Sequence, residues 1–98
     1  MTLEIIVSRE ARGDIVEGVT EYRAISHTLS ESFGEELERV YSYISEYPEM
    51  YPVVYKNFRR ALLHKFPYSV FYTVERFNIL IIGVVHQSRD ESAWKRRF

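Results

Sequence analysis

The run Arg59-Arg60-Ala61-Leu62-Leu63-His64-Lys65-Phe66-Pro67-Tyr68-Ser69-Val70-Phe71-Tyr72-Thr73-Val74, a short turn, and then Asn78-Ile79-Leu80-Ile81-Ile82-Gly83-Val84-Val85-His86-Gln87-Ser88-Arg89-Asp90 decide the fold of this chain. The stretch is dense in Val, Ile, Tyr, Phe and Thr and reads as three consecutive strands, at about 58–66, 68–75 and 78–86. Proline has no N–H to give a ladder, so Phe66-Pro67-Tyr68 predicts a bend or bulge between the first two. Arg76-Phe77 joins the last two as an ordinary hairpin. Alternation sets Val70, Tyr72 and Val74 against Phe71, and Ile79, Ile81 and Val85 against Leu80, Ile82 and Val84. Apolar character on both faces implies central strands covered on both sides, or one face reserved for a partner. At the strand ends and beyond stand Arg59, Arg60, Lys65, His86, Arg89, Lys95, Arg96 and Arg97. A small sheet rimmed with cations is suited to meeting a surface rather than enclosing a small ligand.

Upstream the period changes. Thr2–Val7 is a short β-rich run, and Ser8 is placed to cap a helix whose apolar stripe runs Ala11, Ile15, Gly18, Val19, Tyr22, Ile25 and Leu29. Glu10, Asp14, Glu17 and Glu21 occupy the opposite face, read as capped or solvated acids. Ser30-Glu31-Ser32 breaks the stripe, and Ser32 with Glu35 predicts a capping box for a second helix carrying Phe33, Leu37, Val40, Tyr41 and Ile44. Pro48 and Pro52 end it. Tyr47–Tyr55 is then a proline- and tyrosine-rich connector, and Asp90 opens a final short helix around Trp94. The resulting order is β-α-α-β-β-β with a short C-terminal helical turn: an α+β fold, with a helical hairpin on a mainly antiparallel sheet, in one domain over residues 1–98.

Composition narrows the chemistry. Forty-six per cent hydrophobic residues over 98 positions suffice for one core. The absence of cysteine removes disulfides, thiolate metal sites and thiol nucleophiles. No apolar run approaches the ~20 residues of a membrane span, and Met1-Thr2-Leu3-Glu4 lacks the pattern of a signal peptide, so a cytoplasmic location is expected. The net charge of −1 conceals a division. Residues 1–50 hold four Arg against eleven acids, and residues 51–98 hold nine Lys or Arg against three, net −7 and +6. Either the basic half faces an anionic partner, or acidic helices and a basic strand layer complement each other within the fold.

The ordered set Ser8-Arg9-Glu10-Ala11, Phe33-Gly34-Glu35-Glu36-Leu37, Tyr47-Pro48-Glu49, Tyr51-Pro52-Val53, Arg59-Arg60-Ala61-Leu62, Phe66-Pro67-Tyr68, Phe71-Tyr72 and His86 through Asp90 with Trp94 resembles the RelE/ParE superfamily of bacterial type II toxins. The resemblance covers nearly the whole chain and implies a toxin neutralised by a cognate antitoxin. RelE-like members cleave mRNA in the ribosome with strand cations and an aromatic residue near the C-terminus. ParE-like members poison DNA gyrase by protein contact and are associated with plasmid stabilisation. This chain keeps Arg60 but has Leu62 and Ser69 where catalytic cations are expected, and Trp94 where a tyrosine often stands. That pattern is closer to the ParE-like branch. Neither cofactor, metal, membrane nor small-molecule ligand is expected.

Three functions therefore stand open at the level of sequence: a gyrase inhibitor, a metal-independent mRNA endoribonuclease, and a non-toxic relative that binds the antitoxin as a corepressor. For the first, Arg59, Arg60, Lys65, Arg89, Trp94, Arg96 and Arg97 are the partner-binding candidates. For the second, His86 as base with Arg60, Lys65 and Arg89 around the phosphorane is the set to expect, with Trp94 stacking a base. Each has a plainer alternative: His86 bonded to backbone near the last turn, Trp94 packed over the sheet, and the cations solvated at strand ends and tail.

Overall fold

The computed structural model describes residues 2–98. Strand β1 (Glu4–Val7) leads into helix α1 (Arg9–Ile25), followed by α2 (His27–Glu46), β2 (Val53–Tyr55), β3 (Phe58–Leu62), β4 (Tyr68–Val74), β5 (Asn78–His86) and α3 (Glu91–Arg97). The five strands lie in the order β1-β5-β4-β3-β2. β1 runs parallel to β5, pairing Glu4 with Asn78, and every other neighbour is antiparallel. This is the expected α+β architecture, with one strand more than the sequence pattern implied. β2 lies inside the supposed connector, where Val53 and Tyr55 pair with Arg59 and Phe58 of β3 across a tight turn in which Lys56 takes φ 53°.

The helical hairpin breaks earlier than expected. Ser8 caps α1 by accepting from Ala11 N–H at 3.1 Å. Ser26, in extended backbone, ends α1 with its N–H on Tyr22 O and opens α2 by accepting from Leu29 N–H at 3.3 Å. One serine thus serves two helix ends. Ser30-Glu31-Ser32 lies wholly within α2, so the capping box expected from Ser32 and Glu35 is absent; Ser30 Oγ instead donates to His27 O at 2.7 Å. Ile25, expected in the apolar stripe, stands 74% exposed at the break.

Phe33, Leu37, Val40 and Ile44 of α2 are buried as their spacing implied, against Val70, Tyr72, Ile79 and Ile81 of the sheet. The bend at Phe66-Pro67-Tyr68 turns both aromatic rings to this side, Tyr68 N–H reaching Phe66 O at 2.8 Å. Tyr22–Phe33, Tyr22–Phe66, Phe33–Phe66 and Phe33–Tyr68 then meet with centroids 5.0–5.3 Å apart. Gly18 lets α1 approach that cluster, since a Cβ there would lie 3.0 Å from the Phe33 ring.

The face assignments in β5 need one correction. Phe71 pairs with Gly83 but Tyr72 with Ile81, so Ile82 is an extra residue and β5 bulges. Parity inverts beyond it: Val84, not Val85, joins Ile79 and Ile81 in the main core. Val85 packs instead with Phe71 and Trp94 on the opposite face, under α3. Beside the bulge, Val84 N–H donates to Asp14 Oδ2 at 2.9 Å. Arg97 of α3 grips the same carboxylate through two bonds of 3.0 and 2.6 Å, and Phe98 covers Gly83, where a Cβ would sit 2.9 Å from its ring. Asp14, read as a solvated helix acid, is the post to which α1, β5 and α3 are all tied.

Candidate functional site

Two consecutive arginines on β3 point to opposite faces. Arg59 shares a face with its partner Tyr72, and its guanidinium donates to Glu49 O and Tyr51 O at 3.1 and 2.6 Å, strapping the segment before β2. Arg60 pairs with Phe71 and lies on the α3 face. There Trp94, buried, rests on Phe71 with centroids 4.7 Å apart and meets Tyr55 edge-on at 6.2 Å. Between α3 and the strands lies a cleft of ≈ 160 Å³ with Arg60, Ser69, His86, Arg89 and Trp94 in its walls. It adjoins a second hollow of ≈ 310 Å³ reaching Val54 and Glu91. Arg89 is presented by the turn after β5, closed by its own N–H on His86 O at 3.0 Å.

The charges in this cleft are uneven. Glu91 is held by Lys95 at 2.7 Å. Among the described residues, the side chains of Arg60 and Arg89 make no salt bridge and no hydrogen bond. Leu62 and Ser69, where cations are expected in the RelE-like pattern, are direct cross-strand partners and both line the cleft. That part of the cleft wall is therefore neutral, and two guanidinia share the walls with it.

A third hollow of ≈ 270 Å³ opens between α1 and the end of β5, with Glu17 and Glu21 on one wall and Tyr68, His86 and Arg89 on the other. Burial raises the Tyr68 hydroxyl above its ordinary pKa, assisted by Tyr22, Glu21 and Glu17 and opposed by Arg89. The His86 ring stands edge-on to Tyr68 at 5.1 Å. Its Nδ1 accepts Ser88 N–H at 3.1 Å and lies 2.7 Å from Ser88 Oγ. This is the backbone-bonded histidine at the last turn that the sequence held open as the plainer reading.

Arg60, His86, Arg89 and Trp94 thus meet, while four other candidates stand apart. Arg59 is committed to carbonyls, Arg97 to Asp14, and Arg96 is exposed on α3. Lys65 lies in the loop after β3, which ends at Leu62 rather than 66, because the Glu36 carboxylate draws the loop in. Glu36 Oε1 accepts His64 N–H at 2.8 Å and Lys65 N–H at 3.1 Å. Sequence reasoning missed Glu36, only 2% exposed, because a lone acid on a helix reads as solvated. It also missed Gln87, whose amide donates to Tyr68 O and fixes the rim of the cleft. Among the described residues no three His, Asp or Glu side chains are grouped to hold a metal ion, and no helix is long and apolar enough to cross a membrane.

The molecule thus sets a helical hairpin on one face of a five-stranded sheet and a cleft walled by two arginines under a short helix on the other. The chain belongs to the ParE toxin family of type II toxin–antitoxin systems, parDE, whose pattern matches residues 5–91. Among solved structures it is similar to a chain of the chromosomal ParDE toxin–antitoxin system from P. aeruginosa, with a TM-score of 0.76 and 13% sequence identity, covering 87% of this chain and 96% of that one. No curated protein sequence matches it.

Proposed function

We propose that this chain arrests DNA gyrase in the cytoplasm by protein–protein contact and is held inactive by a cognate antitoxin. The observation that carries the reading is the neutral Leu62–Ser69 pair in the wall of the α3 cleft. A phosphoryl-transfer site needs cations around the phosphorane and a free base beside the attacking hydroxyl. Here the cross-strand positions expected to carry cations are uncharged, which leaves Arg60 and Arg89 as the guanidinia of the cleft walls, and Nδ1 of His86 is engaged by Ser88. An antitoxin laying a helix and an extended segment over the hairpin and sheet would cover apolar surface left open at Val16, Ile25, Tyr43, Tyr47 and Met50.

The test is pulse labelling of DNA and protein synthesis within minutes of inducing the chain alone, paired with a supercoiling assay of gyrase against purified protein. An early fall in DNA synthesis with translation intact, and supercoiling blocked in vitro, is the expected result. Supercoiling untouched by excess protein removes the proposal. A second reading, ribosome-dependent mRNA cleavage, draws on the meeting of Arg60, His86, Arg89 and Trp94 at one cleft. It requires an early fall in translation that His86→Ala abolishes.

A further inference from the structure

Most cations on the β2–β5 and α3 half of the molecule already have a partner. Arg59 has two carbonyls, Lys95 has Glu91, Arg97 has Asp14, and Arg76 lies over the Phe77 ring at 5.1 Å. Arg60 and Arg89 differ in kind: both border the same two hollows, and neither guanidinium is matched within the described residues. Ser69, almost fully buried, shares the cleft wall with them. Two planar forks and a hydroxyl in the walls of one hollow, beside an indole ring, are a donor set for a single small anionic group.

We infer that this cleft is the seat of one carboxylate side chain from a protein partner, gripped between Arg60 and Arg89 with Trp94 beside its aliphatic stem. The surroundings separate a carboxylate from a nucleic-acid backbone. A strand of phosphates needs a continuous basic track with stacking platforms. Here the track does not continue: Glu91, paired with Lys95, borders the second hollow, and beyond Arg89 the wall carries Glu17 and Glu21. A lone acid on a peptide fits that island of positive charge, whereas a polyanion running past Arg89 meets Glu17 and Glu21. The inference rests on the function proposed above only in taking the partner to be a protein.

The test needs neither gyrase nor antitoxin. Purified protein is titrated with an acetylated, amidated pentapeptide bearing one central glutamate, with its glutamine counterpart, and with a single-stranded RNA hexamer. Binding is read at the side-chain Nε–H signals of Arg60 and Arg89. The glutamate peptide is expected to bind roughly tenfold tighter than the glutamine one. The preference disappears in Arg60→Gln and in Arg89→Gln, survives in Arg76→Gln, and is partly kept in Arg60→Lys, which retains the charge without the fork. Thermal melts of the variants check that each remains folded. Equal binding of the two peptides, a preference that persists without either arginine, or tighter binding of the RNA through the same arginines overturns it. Because gyrase is absent, a negative supercoiling assay leaves the carboxylate seat standing, and a failed titration leaves the gyrase proposal standing.

Discussion

The two faces of the sheet are built on different scales. The hairpin face is a broad core in which Phe33, Leu37, Val40 and Ile44 of α2 meet Val70, Tyr72, Ile79 and Ile81. The α3 face is a small aromatic patch of Phe71, Val85 and Trp94, edged by Tyr55 and Phe98, under a helix of seven residues. A helix that short has no stability of its own. It stays in place because Trp94 and Phe98 pack and because Arg97 is tied to Asp14. The lesson is a division of labour, in which one face supplies the folding free energy and the other presents the cations left without partners among the described residues.

That division is open to direct attack. Phe33→Ala, at the centre of the aromatic cluster, is expected to cost about 3–5 kcal/mol of global stability in urea unfolding. A loss under ~2 kcal/mol would mean the hairpin face is not where stability resides. Glu36→Ala orphans the His64 and Lys65 N–H groups and is expected to cost about 2–3 kcal/mol. Glu36→Gln, which keeps an acceptor, loses less; equal losses would show that the hydrogen bonds are not what the carboxylate provides.

Arg97→Ala probes the other face and is smaller, about 1 kcal/mol, because the pair is partly exposed. Trp94 is the only tryptophan, so its emission should move to the red while β4 and β5 amides keep their exchange protection. If protection of β4 and β5 falls with it, the two faces are one cooperative unit and the division fails.

The smallest effect is Tyr41→Phe. The Tyr41 hydroxyl is buried on the hairpin side without a partner among the described residues, so removing it should leave stability unchanged or raise it by up to about 1 kcal/mol at neutral pH. Its consequence appears in alkali. Burial pushes the Tyr41 and Tyr72 hydroxyls up to about 12 from an ordinary 10.0. Below pH 10 the folded and unfolded chains both hold these protons and stability is intact. From there toward pH 12 the unfolded chain releases them first, and stability falls. Tyr41→Phe should flatten that decline; an unchanged alkaline slope in unfolding experiments would show that Tyr41 does not titrate as a buried group.

Much of the fold is legible in the sequence wherever one period dominates. The three- and four-residue spacing of Phe33, Leu37, Val40 and Ile44 fixes the buried stripe of α2, and the β-branched runs locate β4 and β5. Reading fails where a local hydrogen bond outweighs the pattern. Ser30-Glu31-Ser32 resembles a helix break, yet Ser30 satisfies itself on His27 O and the break falls at Ser26. The bulge at Ile82 exchanges Val84 and Val85, which strict alternation cannot foresee. The candidate site divides in the same way. Arg60, Arg89 and Trp94 are readable because they flank long strands, but separating Arg60 from Arg59 requires the cross-strand register. Glu36 and Asp14 are invisible as structural anchors because their partners are backbone and side-chain groups far along the chain.

The parallel pairing of β1 with β5 also bears on how the chain comes into being. Glu4 finds its place beside Asn78, 74 residues later. At a synthesis rate of ~5–20 residues per second, roughly 4–15 s separate the appearance of the two strands. Throughout that interval β1 has no neighbour, and the apolar side of the helical hairpin meets at most β2–β4 of the sheet, without Ile79 and Ile81 of β5. Pairings of such long range also order slowly. A nascent chain of this protein is thus a different object from the finished one: an acidic, sticky hairpin awaiting its second half, open to capture by whatever binds apolar helices first.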